Sequence, residues 1–201
     1  MKKQDILAGF IIGGISALIL PGVPVFSDLF ELVGKYFSFF PYTLPFLAIA
    51  GLYIAELLSK KIPTIFQIAK GFLVGIANSA IDLKIFDFLL VGSFGQTRGI
   101  YNIIFKTISF SCGTINSYIW NKFWTFKKRK TKEKGKEFTQ FFGVSLIGLL
   151  IHVTVIHVVI NIIGPQFGIT PRVWATIGNM AAVFIGFAWN FTGYKFIVFK
   201  K

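Results

Sequence analysis

Charge and sulfur are scarce in this chain of 201 residues. It holds 8 acidic residues, 2 histidines and one cysteine, and charged residues make up only 14%, against roughly 25% in an ordinary soluble domain. A water-soluble globular domain is therefore excluded as the default class. Cys112 cannot pair within the chain, which removes the disulfide-stapled secreted scaffolds. His152 and His157 are five apart rather than four, so they miss the shared helical face that metal ligands need, and no further Cys or His completes a set. No metal or cofactor is expected. A P-loop, a Gly-x-Gly-x-x-Gly turn after a strand and a Gly-x-Ser-x-Gly elbow are also missing, which points away from an enzyme.

What the chain has is apolar length. Hydrophobic residues make up 54% and aromatic residues 17%, with a mean hydropathy of +0.70. Six runs approach the roughly 20 apolar residues that a spanning helix needs: 6–26, 42–58, 68–92, 99–123, 138–163 and 173–196. The expected fold is all-α, a polytopic transmembrane bundle of six helices. The first run is the weakest, broken by Pro21 and Pro24, and its Met-Lys-Lys start resembles a signal peptide, although no small-residue cleavage site follows. Residues 27–40 mix Asp28, Glu31 and Lys35 with aromatics, which suits a short interfacial helix.

The net charge of +13 is read through its placement. With the N-terminus cytoplasmic, that side receives Lys2, Lys3, Lys60, Lys61, Lys70, Lys122, the basic run 127–136, Lys195, Lys200 and Lys201; the other side receives Lys35, Arg98 and Arg172. Every loop then obeys the positive-inside bias, with both termini cytoplasmic. The basic run has no aromatic interleaving of the kind that stacks nucleic-acid bases, so its expected partners are anionic membrane lipids.

Sliding the end of the chain back by 73 residues lays Lys195-Phe196-Ile197-Val198-Phe199-Lys200-Lys201 on Lys122-Phe123-Trp124-Thr125-Phe126-Lys127-Lys128, with five of seven positions identical. At an offset of 70, residues 72–90 fall on 142–160 with the apolar pattern kept. Helices three and four, and helices five and six, thus read as two hairpins pointing the same way, parallel repeats forming a four-helix core. The repeats cover 64–128 and 137–201, and residues 1–63 form a two-helix membrane extension.

These residues resemble the GtrA-like membrane proteins, whose hairpins close with an Asn-Arg/Lys-aromatic-Trp-x-Phe ending and an Asn-Phe-x-x-Tyr-Arg/Lys-Phe-x-x-Phe ending. Here they read Asn116-Ser117-Tyr118-Ile119-Trp120-Asn121-Lys122-Phe123-Trp124-Thr125-Phe126 and Trp189-Asn190-Phe191-Thr192-Gly193-Tyr194-Lys195-Phe196-Ile197-Val198-Phe199. The opening Phe72-Leu73-Val74-Gly75-Ile76-Ala77-Asn78-Ser79-Ala80-Ile81-Asp82 is similar to that family's first helix. The resemblance covers about residues 65–201 and leaves the first two helices unexplained. It implies a role in cell-surface polysaccharide assembly, moving polyprenyl-phosphate-linked sugars across the cytoplasmic membrane.

Ionisable groups inside a span are expensive and are functional candidates by default. Helix three carries Asp82, Lys84 and Asp87, helix four Lys106, and helix five His152 and His157. At the repeat offsets Asp82 falls on His152 and Lys106 on Asn179. Helical spacing groups Gly71, Gly75, Asn78 and Asp82 on one stripe, mirrored by Phe141, Ser145, Gly148 and His152. Lys106, Ser109, Gly113 and Ser117 form another, mirrored by Asn179, Ala182, Gly186 and Asn190. Close packing of small residues accounts for the glycines alone, and a neutral structural role suits His152. A buried carboxylate and ammonium need each other or water, so Asp82 and Lys106 are expected to pair.

At the cytoplasmic ends, Lys122 and Lys195 follow Asn121 and Tyr194 and precede aromatics. One reading is an aromatic belt with snorkelling lysines; the other is a phosphate site. The candidate substrate-binding set is Asp82, Lys106, Asn116, Ser117, Asn121, Lys122, His152, Asn179, Asn190, Tyr194 and Lys195. With no soluble segment long enough for a glycosyltransferase, sugar transfer belongs to another polypeptide. The functional alternatives are a flippase for a polyprenyl-phosphate-linked sugar, a noncatalytic anchor or partner of a separate membrane-associated glycosyltransferase, and a small-molecule exporter.

Overall fold

The computed structural model describes residues 1–19, 40–92, 100–128, 131, 133–168 and 171–200. Among them the chain forms six α-helices and no strand: α1 Lys3–Ile19, α2 Phe40–Ser59, α3 Thr64–Gly92, α4 Ile100–Trp120, α5 Lys134–His157 and α6 Pro171–Gly193. The expected interfacial helix at 27–40 and the breaks at Pro21 and Pro24 lie outside the described residues. Pro41 and Pro45 both lie in the described part of α2, Pro45 inside the helix.

Large apolar side chains point outward on all six helices, among them Leu7, Phe46, Phe88, Ile108, Leu150 and Phe184. Such surfaces are solvated by lipid rather than water, and the chain is a helical membrane bundle. Three stretches among the described residues are long and apolar enough to cross a membrane by length and composition: Pro41–Ser59, Lys134–Ile163 and Ala181–Val198. In α3 the charges of Lys70, Asp82, Lys84 and Asp87 lower the average, and each of these groups has a partner described below.

Helices α3 and α5 begin at Thr64 and Lys134, four residues before the apolar runs at 68 and 138. Hydropathy marks where lipid begins, whereas a helix can start in the headgroup layer. The stretch Lys134–Ile163 has 30 residues, or about 45 Å at 1.5 Å per residue, longer than a hydrocarbon core of about 30 Å.

The chain packs as two compact units, Met1–Lys127 and Lys128–Lys201. In the first, α1 lies on α2, both lie on α3, and α3 pairs with α4. Ala8, Ile12, Leu52, Val74, Ala77 and Trp124 form its core. In the second, α5 pairs with α6 around Phe141, Val144, Ala182, Tyr194, Val198 and Phe199.

Three helices end in wide π turns: Asn121–Thr125 after α4, Val158–Ile163 after α5 and Tyr194–Val198 after α6. Bonds spanning five residues close them, Phe126 N to Asn121 O at 2.8 Å and Phe199 N to Tyr194 O at 2.7 Å. The middle turn ends at Gly164, whose φ of +68° a side chain would resist. The first and last turns coincide at the 73-residue offset, Asn121 on Tyr194 and Thr125 on Val198. Their inward residues match too: Asn121, Thr125 and Phe126 are buried in one, Tyr194, Val198 and Phe199 in the other.

Candidate functional site

The polar stripes of α3 and α4 meet. Ser109 Oγ donates to Asp82 Oδ1 at 2.7 Å, and one turn along, a β-carbon at Gly113 would lie 3.3 Å from Asn78 Oδ1 and 3.5 Å from Asp82 Cβ. Gly113 thus leaves room for the two polar side chains of α3. The Lys106 side chain lies outside the described residues, so the acceptor that Asp82 shows is bonded to a hydroxyl. Lys84 reaches Asp87 at 3.4 Å on α3 itself.

The second hairpin joins its stripes in the same manner. A β-carbon at Gly148 would collide with the Asn190 amide, and Gly186 faces Gly148 O and His152 Cβ. His152 is therefore on the seam, half-buried, while His157 sits exposed beside Asn161. Asn179, expected on this stripe, has its side chain outside the described residues.

Four buried polar atoms have no hydrogen-bond partner among the described residues: Asn78 Oδ1, Asn116 Nδ2, Thr125 Oγ1 and Asn190 Oδ1. An unmade bond of this kind costs about 1–3 kcal/mol. Water or a polar ligand beside these atoms would remove that cost.

At the ends of α4 and α6 the two lysines are in different surroundings. Asn121 Nδ2 donates to Ser117 O at 2.9 Å and to its hydroxyl at 3.2 Å. Lys122 is only 5% exposed and its ammonium donates to the Tyr118 hydroxyl at 2.9 Å. In the second hairpin the Tyr194 hydroxyl is 2.7 Å from Ser145 Oγ and its ring stacks on Phe141 at 4.2 Å. Lys195 is half-buried, with its ammonium 5.8 and 5.5 Å from the ring centres of Phe191 and Phe196.

One cluster escaped the reading of the sequence. Lys70, 1% exposed, forms an ion pair with Asp5, 3% exposed. Trp124 Nε1 donates to the same carboxylate oxygen at 3.0 Å. The Lys70 ammonium also lies 4.3 Å from the Phe66 ring centre and 5.2 Å from that of Trp124. Counted by position, Lys70 is one more cytoplasmic cation. Its spacing carries the signal, since Val74 and Ala77, four and seven residues on, belong to the core and place Lys70 on the inward face of α3.

Residues 72–199 match a family model described as GtrA/DPMS, transmembrane domain. The chain belongs to this family. A relative named "Uncharacterized membrane protein YngA", from Bacillus subtilis (strain 168), is 30% identical over 129 residues, which are 64% of this chain and 79% of that protein. No solved structure matches. The GtrA/DPMS match contains both polar seams and both terminal π turns, while Asp5 and Lys70 precede it. The family places the chain among membrane proteins of glycosyl-carrier and polysaccharide-related processes.

Proposed function

We propose that this GtrA/DPMS-family protein is a carrier that moves a polyprenyl-phosphate-linked sugar across the cytoplasmic membrane, with both termini on the cytoplasmic side, and that it forms no covalent bond itself. The observation that carries the reading is the recurrence, at one offset, of a π turn that holds a lysine among aromatic rings, Lys122 in the first hairpin and Lys195 in the second. Lys122 is buried against Tyr118 and Lys195 only half-buried, so Lys195 is the ammonium of the two that is suited to meet a lipid phosphate. Each polar seam then offers its own groups to a sugar, the Asp82 carboxylate and Ser109 hydroxyl in the first hairpin and the Asn190 amide and His152 imidazole in the second, while the prenyl chain stays in lipid. The matching turns and seams also support reading the two hairpins as parallel repeats.

The competing reading is a noncatalytic membrane anchor for a separate glycosyltransferase. The exposed basic start of α5, with Lys134 and Lys136, favours it as a docking surface. Vesicles that contain only the purified protein and a labelled polyprenyl-phosphate sugar separate the two. A carrier exchanges label between leaflets unaided. Exchange no faster than in empty vesicles rejects the carrier.

A further inference from the structure

The two hairpins differ at one equivalent place. In the first, the space between the start of α3 and the π turn after α4 is filled: Asp5 of α1 enters it and its carboxylate receives Lys70 and the Trp124 N–H. An anion is thus already held at that place. Transferred to the second hairpin by the two offsets, Lys70 becomes Gln140, Trp124 becomes Ile197, Thr125 becomes Val198 and Lys127 becomes Lys200. Gln140, Ile197, Val198 and Lys200, joined by Lys128 and Lys136, line a cavity of about 190 Å³. Among the described residues of the second unit, no helix comparable to α1 enters it.

We propose that this cavity is an anion site that takes the phosphate group of a prenyl-type lipid, and that Asp5 is the carboxylate filling the equivalent place in the first hairpin. The inference rests on the carrier reading for the identity of the ligand. Its charge balance favours an anion. Glu137, the buried carboxylate of the wall, already accepts the Thr131 hydroxyl and has the Lys128 ammonium at 3.9 Å. Lys136 is held at 3.2 Å by Glu133 in a pair exposed on both sides, and such pairs are worth little. A phosphate can therefore recruit Lys136 and Lys200 without stranding a buried charge. The space exceeds that of a single water, which needs about 10–15 Å³ on the same measure. The surroundings point to a lipid source: Ile197 of the lining is 47% exposed and its chain neighbour Phe196 63%, so an apolar chain finds apolar surface beside the cavity. One hairpin end is then structural and the other binds.

The test uses the full chain in phosphatidylcholine nanodiscs, titrated calorimetrically with citronellyl phosphate and with inorganic phosphate. The variant Lys136→Gln/Lys200→Gln should lose at least tenfold in affinity for citronellyl phosphate, and Lys136→Arg/Lys200→Arg should keep it within about threefold. Lys60→Gln/Lys61→Gln removes equal charge from an exposed turn and should leave binding unchanged. Full-strength binding by the Gln pair, equal weakening in the Lys60/Lys61 control, or no binding by the unaltered protein overturns the site. Inorganic phosphate binding as tightly as citronellyl phosphate overturns the lipid source. Binding at the cavity without lipid movement in vesicles would reject the carrier and leave the site standing; movement undiminished in the Gln pair would reject the site and leave the carrier.

Discussion

Asp5 and Lys70 are 65 residues apart and form a buried ion pair, with the Trp124 indole bonded to the same carboxylate. The pair fastens α1 to the start of α3 and, through Trp124, to the π turn that holds Lys122. Removing one partner leaves an uncompensated charge in a low-dielectric core, which costs about 3–5 kcal/mol. Asp5→Ala and Lys70→Met should each lower the unfolding midpoint in detergent on that scale. The double variant should recover part of the loss, because neither charge is then stranded. Additive losses in a double-mutant cycle would show that the two groups do not depend on each other.

The α3–α4 seam makes a smaller prediction. A hydrogen bond to a charged group contributes about 1.5–3 kcal/mol, so Ser109→Ala should destabilise the protein by about that amount. In an Asp82→Asn background the same change should cost less. Denaturation of the four proteins under one lipid condition measures the coupling, and identical costs in both backgrounds would refute the bond.

Helix packing in the second hairpin is tested at its glycines. A β-carbon at Gly148 would collide with the Asn190 amide, whereas one at Gly143 meets nothing within 4 Å. Gly148→Ala should cost about 1–3 kcal/mol through overpacking, and Gly143→Ala should be neutral or slightly stabilising because alanine favours helix. Asn190→Ala should relieve most of the Gly148→Ala defect. Thermal melts of the three variants check the order.

The paired lysines should differ in what they do. Lys122 is buried against Tyr118, so Lys122→Gln should act first on folded yield. Lys195, half-buried between two rings, should act on function: Lys195→Gln should slow movement of labelled lipid-linked sugar at least tenfold at unchanged yield. Rates normalised to folded protein distinguish the two, and a normal rate in Lys195→Gln would remove that residue from the phosphate path.

How much of this could be read from the residues depends on distance along the chain. The seams were legible because Asn78 and Asp82, or Ser109 and Gly113, lie within a turn or so of each other, and helical period alone puts them on one face. The lysine-bearing ends were legible because the chain repeats them. The Asp5–Lys70–Trp124 cluster was not, since its members come from three segments and only packing brings them together. Nor were the π turns, which depend on where a backbone N–H finds its carbonyl, a choice that composition does not encode.

The π turns carry a consequence for motion. A π turn holds one residue more than an α turn, and that residue sets everything beyond it about 100° around the axis and about 1.5 Å along it. Relaxing Tyr194–Val198 into ordinary α geometry would swing Phe199 out from beside Phe141 and Tyr194 while the rest of α6 stayed in place. The hairpin end is in this sense a cam: one misplaced hydrogen bond stores a quarter-turn that can be released without tilting a helix or moving it through the lipid.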